Sequence, residues 1–96
     1  MTISTTIKSD QYEGRIDLSY EGQPAGYIEF FILNNGDIDI VHTVVDPAFG
    51  GKGLGKELVL ATVEYAKEKD IKIKTSCPFA KKVFEKTKEI QAFWQK

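Results

Sequence analysis

The stretch V-D-P-A-F-G-G-K-G-L-G-K-E-L, residues 45–58, decides how this chain folds. Four of its residues are glycines: Gly50, Gly51, Gly53 and Gly55. A β-branched run over residues 38–45 precedes it, and an amphipathic helical pattern over residues 54–69 follows it. Glycine lets a backbone approach an anion closely, and the first N–H groups of a helix lack internal partners and lie at its positive end. The stretch therefore predicts a phosphate-binding turn between a strand and a helix.

The residues before this turn follow the two-residue period of strands. In residues 14–20, Ile16, Leu18 and Tyr20 alternate with polar residues, as expected for a strand with one buried face. The same reasoning predicts strands over residues 2–8, 14–20, 25–33 and 38–45. The sequence Asn-Asn-Gly-Asp at residues 34–37 favours a hairpin between the last two. The first half of the chain therefore predicts an antiparallel meander.

After the turn, the apolar residues recur with a helical period. They include Leu54, Leu58, Ala61 and Tyr65. This spacing predicts a helix over residues 54–69, followed by a short strand over residues 71–75. Pro78 suits a first helical position and begins a second helix that ends near Lys86. The tail to Lys96 predicts a last helical turn or an extended arm packed on the domain. Four aromatic residues of this half are expected to fill the core rather than wall an acyl pocket: Phe79, Phe84, Phe93 and Trp94.

These elements predict an α/β fold, more specifically an α+β mixed sheet in which antiparallel strands precede a βαβ unit and a short C-terminal helix. A βαβ crossover makes its two strands parallel and is right-handed in nearly all cases. Ligands of such sheets gather beyond the carboxyl ends of the strands. The glycine turn follows the first strand of the unit and Cys77 follows the second. We therefore expect the turn and the thiol at the same edge of the sheet.

Length and composition restrict the classes of protein that the chain can represent. Its 96 residues predict one domain over 1–96. A net charge of −1 argues against broad nucleic-acid binding, and no run approaches the ~20 apolar residues of a membrane span. The first residues lack the form of a secretory signal, and a lone cysteine allows no internal disulfide. We expect a cytoplasmic monomer or homodimer that binds neither nucleic acid nor membrane.

Two phosphate-binding motifs match the turn only in part. Residues 50–56 satisfy the G-x-x-x-x-G-K of a P-loop, but Glu57 stands where that motif needs a hydroxyl for Mg²⁺. A carboxylate there would repel the phosphates. Residues 51–55 read G-x-G-x-G, which misplaces the third glycine of the dinucleotide motif, and the acidic residue expected about 20 positions later is missing. Both alternatives are therefore weak, and the sequence predicts no metal site.

A third motif agrees with the turn in spacing and in its flanking elements. Residues 45–55 resemble the acyl-CoA loop of the GNAT superfamily of N-acetyltransferases, V-x-P-x-x-[RQ]-G-x-G-[ILV]-[GA], which lies between a strand and a long helix. The order of elements over residues 14–86 also resembles the GNAT core. The pairs His42-Thr43 and Ser76-Cys77 are similar to those of a short branch of uncharacterised acetyltransferases.

The resemblance implies that acetyl-CoA is the cofactor and that an acyl group passes to an amine. The residues implied to bind the coenzyme are Val44, Val45, Gly50, Gly51, Lys52, Gly53, Leu54, Gly55 and Lys56. N–H groups of the turn would hold the pyrophosphate. The N–H of Val44 or Val45 would hold pantetheine or polarise the thioester carbonyl. Lys52 and Lys56 would add positive charge, with a solvated surface as the alternative.

Cys77 is the first candidate catalytic residue. We expect it at the N-cap of the second helix, where free N–H groups and the positive helix end favour a thiolate. There it would serve the leaving thiol or take the acyl group transiently. An inert buried cysteine is the alternative.

His42 is the second candidate catalytic residue. As the only histidine, it has the chemistry to remove a proton from an amine. Alternation places it on one face of its strand with Ile38 and Ile40, which favours a packed structural role. Alternation also places Thr43 and Asp39 on the opposite face. Asp39 is a further candidate base, with simple exposure at the edge as the alternative.

The chain departs from the GNAT pattern in three ways. Gly50 replaces the usual Arg or Gln, which removes a side-chain contact but keeps a backbone N–H. Residues before Gly14 leave no room for the paired helices that usually form the acceptor wall, so the acceptor side is expected to be open or completed by a second subunit. The usual tyrosine acid of the last helix is missing, since Tyr65 is the last tyrosine.

The predicted function is therefore that of an acetyl-CoA-dependent N-acetyltransferase acting on a small-molecule or peptide amine. The alternative is a non-catalytic acyl-CoA-binding or protein-interaction module, which the missing acceptor wall and the missing tyrosine favour.

Overall fold

The computed structural model describes residues 2–95 of the chain. Five strands form a sheet in the order β1-β2-β3-β4-β5. They are β1 (Ile3–Ser9), β2 (Glu13–Tyr20), β3 (Gln23–Ile32), β4 (Ile38–Val45) and β5 (Ile73–Thr75). The helices of this range are α1 (Leu54–Lys69), α2 (Pro78–Lys86) and the 3₁₀ segments Pro47–Phe49 and Lys88–Phe93. None of these helices has the length and apolar character that crossing a membrane requires.

The sheet is mixed, as the sequence predicts. Strands β1 to β4 form an antiparallel meander, and β5 lies beside β4 and parallel to it. Glu21 and Gly22 connect β2 to β3 with φ angles of 51° and 83°, and such left-handed turns match the twist of two paired strands. The hairpin predicted at residues 34–37 closes through the Gly36 amide, which donates to the carbonyl of Leu33 (2.9 Å). The meander and the βαβ unit are thus confirmed.

Both α-helices pack on one face of the sheet, and the core lies between them and the strands. The sheet residues that alternate toward this face are buried: Ile16, Leu18, Ile28, Phe30, Ile38 and Ile40. The helices bury Leu54, Leu58, Val59, Ala80 and Phe84 against them. On the opposite face, the Arg15 guanidinium lies 3.8 Å from the ring centroid of Tyr27 and pairs with Asp17 at 2.9 Å. One face of the sheet is therefore covered and the other is polar and open, which positions the site described below.

Strand β5 is shorter than the sequence predicts, because the chain before it still belongs to the end of α1. Asp70 is left-handed (φ 55°), and the amide of Ile71 reaches back to the carbonyl of Ala66 (3.1 Å). This bond closes the helix in the manner of a Schellman motif. The amide of Lys72 then donates to the carboxylate of Asp37 (2.9 Å). Pairing with β4 consequently begins only at Ile73.

A β-bulge in β4 corrects the predicted placement of His42 and Thr43. Glu29 of β3 lies opposite His42, whereas the next residue, Phe30, lies opposite Ile40, so Val41 is an extra residue. A bulge of this kind reverses the alternation of side chains beyond it. His42 is exposed on the open face rather than packed with Ile40, and Thr43 lies on the helix side. The prediction from strict alternation was wrong for both residues.

The C-terminal tail covers the outer edge of β5. After the 3₁₀ segment, Trp94 forms a parallel bridge with Ile73, and the amide of Gln95 donates to the carbonyl of Ile73 (2.8 Å). The Trp94 ring stacks on Phe84 with centroids 5.7 Å apart, and its Nε1 donates to Oγ1 of Thr75 (3.1 Å). The expected packing of the tail on the domain is confirmed for residues up to 95.

Candidate functional site

The turn between β4 and α1 has the backbone geometry that its glycines permit. The amide of Asp46 pairs with the carbonyl of Ala25 (2.8 Å), and its carboxylate accepts from the amide of Ala48 (2.9 Å), which begins the 3₁₀ segment. Gly51 and Gly53 then adopt left-handed conformations with φ of 78° and 74°. These two positions let the chain reverse and enter α1 directly after β4.

The first amides of α1 have no acceptor in the part of the chain that the structure describes. Gly53 is the N-cap and has no side chain to cap the helix. The amide of Glu57 bonds to the carbonyl of Gly53 (3.2 Å), but the amides of residues 51–56 find no acceptor among residues 2–95. Free N–H groups at the positive end of a helix attract an anion. The structure therefore has the uncapped amides that a diphosphate site between a strand and a helix requires.

Two lysines border this turn in different ways. The ammonium of Lys52 lies 5.1 Å from the ring centroid of Tyr20, whose ring in turn contacts that of Phe49 at 5.7 Å. Lys56 is exposed in the first turn of α1. Lys52 is thus held toward the end of β2, whereas Lys56 stays on the helix beside the free amides.

On the side of β5, strand β4 is paired in its first three residues only, within the described residues 2–95. The parallel ladder ends where Ile40 pairs with Thr75, and the amide of Cys77 donates to the carbonyl of Ile40 (2.9 Å). Strand β4 continues to Val45, and in residues 2–95 its edge beyond Ile40 has no strand neighbour on the β5 side. Residues 41–45 of β4 thus present a free strand edge next to the glycine turn, and the region along this edge, up to Cys77, is called the cleft below.

The direction of the amides near this cleft follows from the ladder with β3. Because the amide of Asp46 donates to β3, alternation turns the N–H of Val45 away from β3 and toward the cleft. The N–H of Val44 points to β3, and its side chain is exposed on the open face. Of the two valines in the predicted set, Val45 thus offers its backbone N–H to a ligand in the cleft.

Cys77 lies where the cleft meets the start of α2. It is the N-cap residue, as predicted, with Pro78 at the first helical position. Only 6% of Cys77 is exposed, and its Sγ lies 3.6 Å from Oγ1 of Thr43, which accepts a hydrogen bond from the thiol. The thiol therefore sits on the helix side of the sheet, beside the part of β4 that follows the bulge.

The two candidate catalytic residues lie on different faces of the sheet. His42 is exposed on the open face, opposite Glu29 in register, whereas Cys77 contacts Thr43 on the covered face. Asp39, the further candidate base, accepts hydrogen bonds from the amide of Ser76 (2.9 Å) and from its Oγ (2.7 Å). These bonds tie β4 to the segment that carries Cys77, and they engage both oxygens of the Asp39 carboxylate.

Sequence reasoning missed two contacts in this region. It did not find the contact of Thr43 with Cys77, because strict alternation, which ignores the bulge, places Thr43 on the opposite face of the sheet. It expected Phe79 in the core, yet 44% of Phe79 is exposed and its ring lies against Gly55. The one available signal was Gly55 itself, since glycine inside a helical pattern often marks a close approach of another group.

The comparison with protein families decides the identity of this fold. The family model of the GCN5-related N-acetyltransferases matches residues 10–93. The chain belongs to the GCN5-related N-acetyltransferase family. The resemblance inferred from the glycine turn is thereby confirmed, and the mixed α+β sheet is that of this family. The members of this family are N-acetyltransferases, and this chain is therefore classed as one.

Three solved structures have a similar fold. A GCN5-like protein from Staphylococcus aureus, solved by NMR, is 36% identical with a TM-score of 0.68, covering 94% of this chain and 87% of that one. The ribosomal-protein-alanine N-acetyltransferase of Brucella melitensis biovar Abortus 2308 has 22% identity, a TM-score of 0.65 and coverages of 79% and 61%. A Bacillus anthracis str. Ames protein, solved in complex with acetyl coenzyme A, has 23% identity, a TM-score of 0.55 and coverages of 64% and 35%. The comparison with curated proteins found no match.

Proposed function

We propose that this chain binds acetyl-CoA in the cleft between β4 and the starts of α1 and α2, and transfers the acetyl group to an amine. The observation that carries the proposal is the row of uncapped amides at residues 51–56. Its support is family membership and the acetyl coenzyme A complex of a structural neighbour.

The glycine turn supplies the diphosphate site in this proposal. The amides of Gly51, Gly53, Leu54 and Gly55 would surround the diphosphate oxygens, with Gly50 leading the chain into the turn. Lys56 is exposed beside these amides and would add a full positive charge. Lys52, which lies over Tyr20, would act at longer range. Backbone N–H groups suit this task because they need no side-chain ordering.

The cleft beside β4 would receive the rest of the coenzyme. The backbone N–H of Val45 points toward it and would bond to pantetheine. Amides aimed at a thioester carbonyl oxygen stabilise the negative charge that develops there when an amine attacks. Cys77 lies at the far side of this cleft, at the N-terminal end of α2.

The two faces of the sheet divide the roles of the remaining residues. His42 lies on the open face, from which an acceptor could approach, and would take the proton that the acceptor ammonium must lose before its nitrogen attacks. Cys77 lies on the coenzyme side. Its thiol would protonate the departing thiolate of the coenzyme, or its sulfur would accept the acyl group and pass it to the amine.

Titration with coenzyme A and turnover assays test this proposal. Amide shifts in an NMR titration are expected to centre on residues 50–56 and on Cys77. Acetyl-CoA with a panel of polyamines, peptides and amino metabolites is expected to release free thiol in an amine-dependent manner, and Cys77→Ala is expected to slow this release. Shifts located elsewhere would reject the site.

A non-catalytic acyl-CoA-binding module is the second candidate. Two observations favour it: the open face of the sheet has no helical wall in residues 2–95, and Tyr65, the last tyrosine, packs on Phe30 in the core (centroids 5.2 Å apart). Tight coenzyme A binding without turnover of any amine, unchanged by Cys77→Ala, would decide for this module.

A further inference from the structure

Phe79 is an exposed aromatic residue beside the proposed coenzyme site. It is the second residue of α2, and 44% of it is exposed. A Cβ on Gly55 would lie 2.5 Å from its Cζ and 2.8 Å from its Cε2, so the ring lies directly against the backbone of this glycine. One part of the ring thus contacts the first turn of α1, while the remainder is exposed.

The position of Phe79 falls between the two ends of the proposed ligand. Gly55 provides one of the free amides that would hold the diphosphate. Cys77, two residues before Phe79, lies where the thiol end would be. In coenzyme A, the first group after the diphosphate in the direction of the thiol is the pantoyl segment, which carries a carbon with two methyl groups. A ring that adjoins the diphosphate amides is therefore at the correct place to meet this branched hydrocarbon.

We infer that the Phe79 ring packs on the dimethyl group of the pantoyl segment and thereby selects coenzyme A over other diphosphates. The inference rests on the proposed function. Uncapped amides bond to any diphosphate, so they cannot discriminate between its esters. Burial of the exposed ring against the pantoyl hydrocarbon adds a favourable contact that a diphosphate without a neighbouring hydrocarbon group, such as ADP, does not supply. Because the ring already contacts Gly55, part of its side-chain freedom is restricted before binding.

Gly55 has a defined part in this arrangement. A larger residue at position 55 would displace the ring of Phe79, since a Cβ there would come within 2.5 Å of Cζ. The absence of a side chain at Gly55 therefore allows the ring to contact the helix backbone next to the diphosphate amides. Phe79 is a specificity residue of the binding step, and it takes no part in proton or acyl transfer.

The experiment compares coenzyme A with ADP, which carries the diphosphate but no pantoyl group. Binding of both ligands to the wild-type chain, Phe79→Ala and Phe79→Leu is followed by NMR titration. We expect Phe79→Ala to weaken coenzyme A binding about tenfold and to leave ADP binding within about twofold. Phe79→Leu, which keeps an apolar side chain, is expected to lose less. Phe31→Ala is the matched control, because Phe31 is also exposed (51%) but lies near the far end of β3.

Nuclear Overhauser measurements on the wild-type complex test the same contact without depending on whether a variant folds. In the wild-type complex, nuclear Overhauser contacts are expected between the pantoyl methyl protons and the ring protons of Phe79. Their absence, or equal losses of coenzyme A and ADP affinity in Phe79→Ala, would overturn the inference while the proposed function stands. Failure of the wild-type chain to bind coenzyme A would instead overturn the proposed function, and this inference with it.

Discussion

The thiol of Cys77 donates a hydrogen bond to the hydroxyl of Thr43, with Sγ and Oγ1 3.6 Å apart. The two residues are 34 positions apart in the chain, and two features bring them together. The bulge at Val41 turns Thr43 to the helix side, and the bond from the Cys77 amide to the carbonyl of Ile40 fixes the start of α2 (2.9 Å). The orientation of the candidate thiol therefore depends on an irregularity of β4.

Replacing Thr43 by valine tests whether this contact matters for acyl transfer. Valine keeps the shape of threonine but cannot accept the hydrogen bond. We expect Thr43→Val to lower the transfer rate about two- to fivefold, with at most about 1 kcal/mol of lost stability. Rates measured for Thr43→Val, Cys77→Ala and the double variant form a cycle. An equally large effect of Thr43→Val in the Cys77→Ala background would show that Thr43 acts independently of the thiol.

Alanine at Gly53 is expected to weaken both the fold and coenzyme binding. Gly53 has φ of 74°, and a Cβ there would meet nothing within 4 Å, so the effect is one of backbone strain without collision. The expected loss is about 1–2 kcal/mol in urea unfolding, with a weaker affinity for coenzyme A.

Gly22→Ala provides the control for this variant. Gly22 has a similar φ of 83° and equally open surroundings, but lies in the turn between β2 and β3. It is expected to cost similar stability and to leave coenzyme A affinity unchanged. Equal losses of affinity in both variants would mean that global destabilisation, rather than the turn at Gly53, controls binding.

Truncation of Phe84 tests the packing of α2 and the tail. The side chain is fully buried and stacks on Trp94 at 5.7 Å. Phe84→Ala is expected to cost about 3–5 kcal/mol, a large share of the roughly 5–15 kcal/mol that stabilises a natural domain. Phe31→Ala, at an exposed position, is expected to cost less than about 1 kcal/mol in the same urea titration. Similar costs for both would contradict the burial pattern described here.

Asp10, in the loop between β1 and β2, is expected to make the stability of the fold depend on pH at low pH. The amides of Tyr12 and Glu13 donate to the Asp10 carboxylate (2.8 and 2.9 Å), and they hold the pKa of Asp10 below its ordinary value of 3.8. Because the pKa of Asp10 is lower in the folded state, its ionised carboxylate stabilises the fold. This stabilisation is complete above pH 3.8 and is lost as the pH falls through the folded-state pKa. NMR titration of the Asp10 carboxyl checks the direction. A midpoint at or above 3.8 would contradict it, and Asp10→Asn should remove this part of the acid sensitivity.

Local patterns predicted much of the fold. The bounds of β4, α1 and α2 follow from apolar period, glycine and proline, and the structure places them at 38–45, 54–69 and 78–86 as expected. The strand after α1 was predicted two residues too long, because the amide of Ile71 closes the helix on the carbonyl of Ala66 and the amide of Lys72 bonds to the carboxylate of Asp37. Signals carried by neighbours in sequence were therefore reliable, whereas the bond from Lys72 to Asp37, 35 positions away, has no local signal.

The candidate site divides in the same way. The glycine turn, its uncapped helix start and the N-cap position of Cys77 are local, and the structure shows all three. The faces occupied by His42 and Thr43 were predicted wrongly. A bulge arises from the register of β4 against β3, and that register involves residues distant in the chain.

The sequence by itself determined the order of elements and the strand–turn–helix junction, because hydrophobic period and backbone freedom act over a few residues. Only the tertiary structure decided that Thr43 meets Cys77, that His42 lies on the opposite face, and that Phe79 rests on Gly55. Each of these depends on strand register and helix docking, where small shifts between distant segments change which side chains meet.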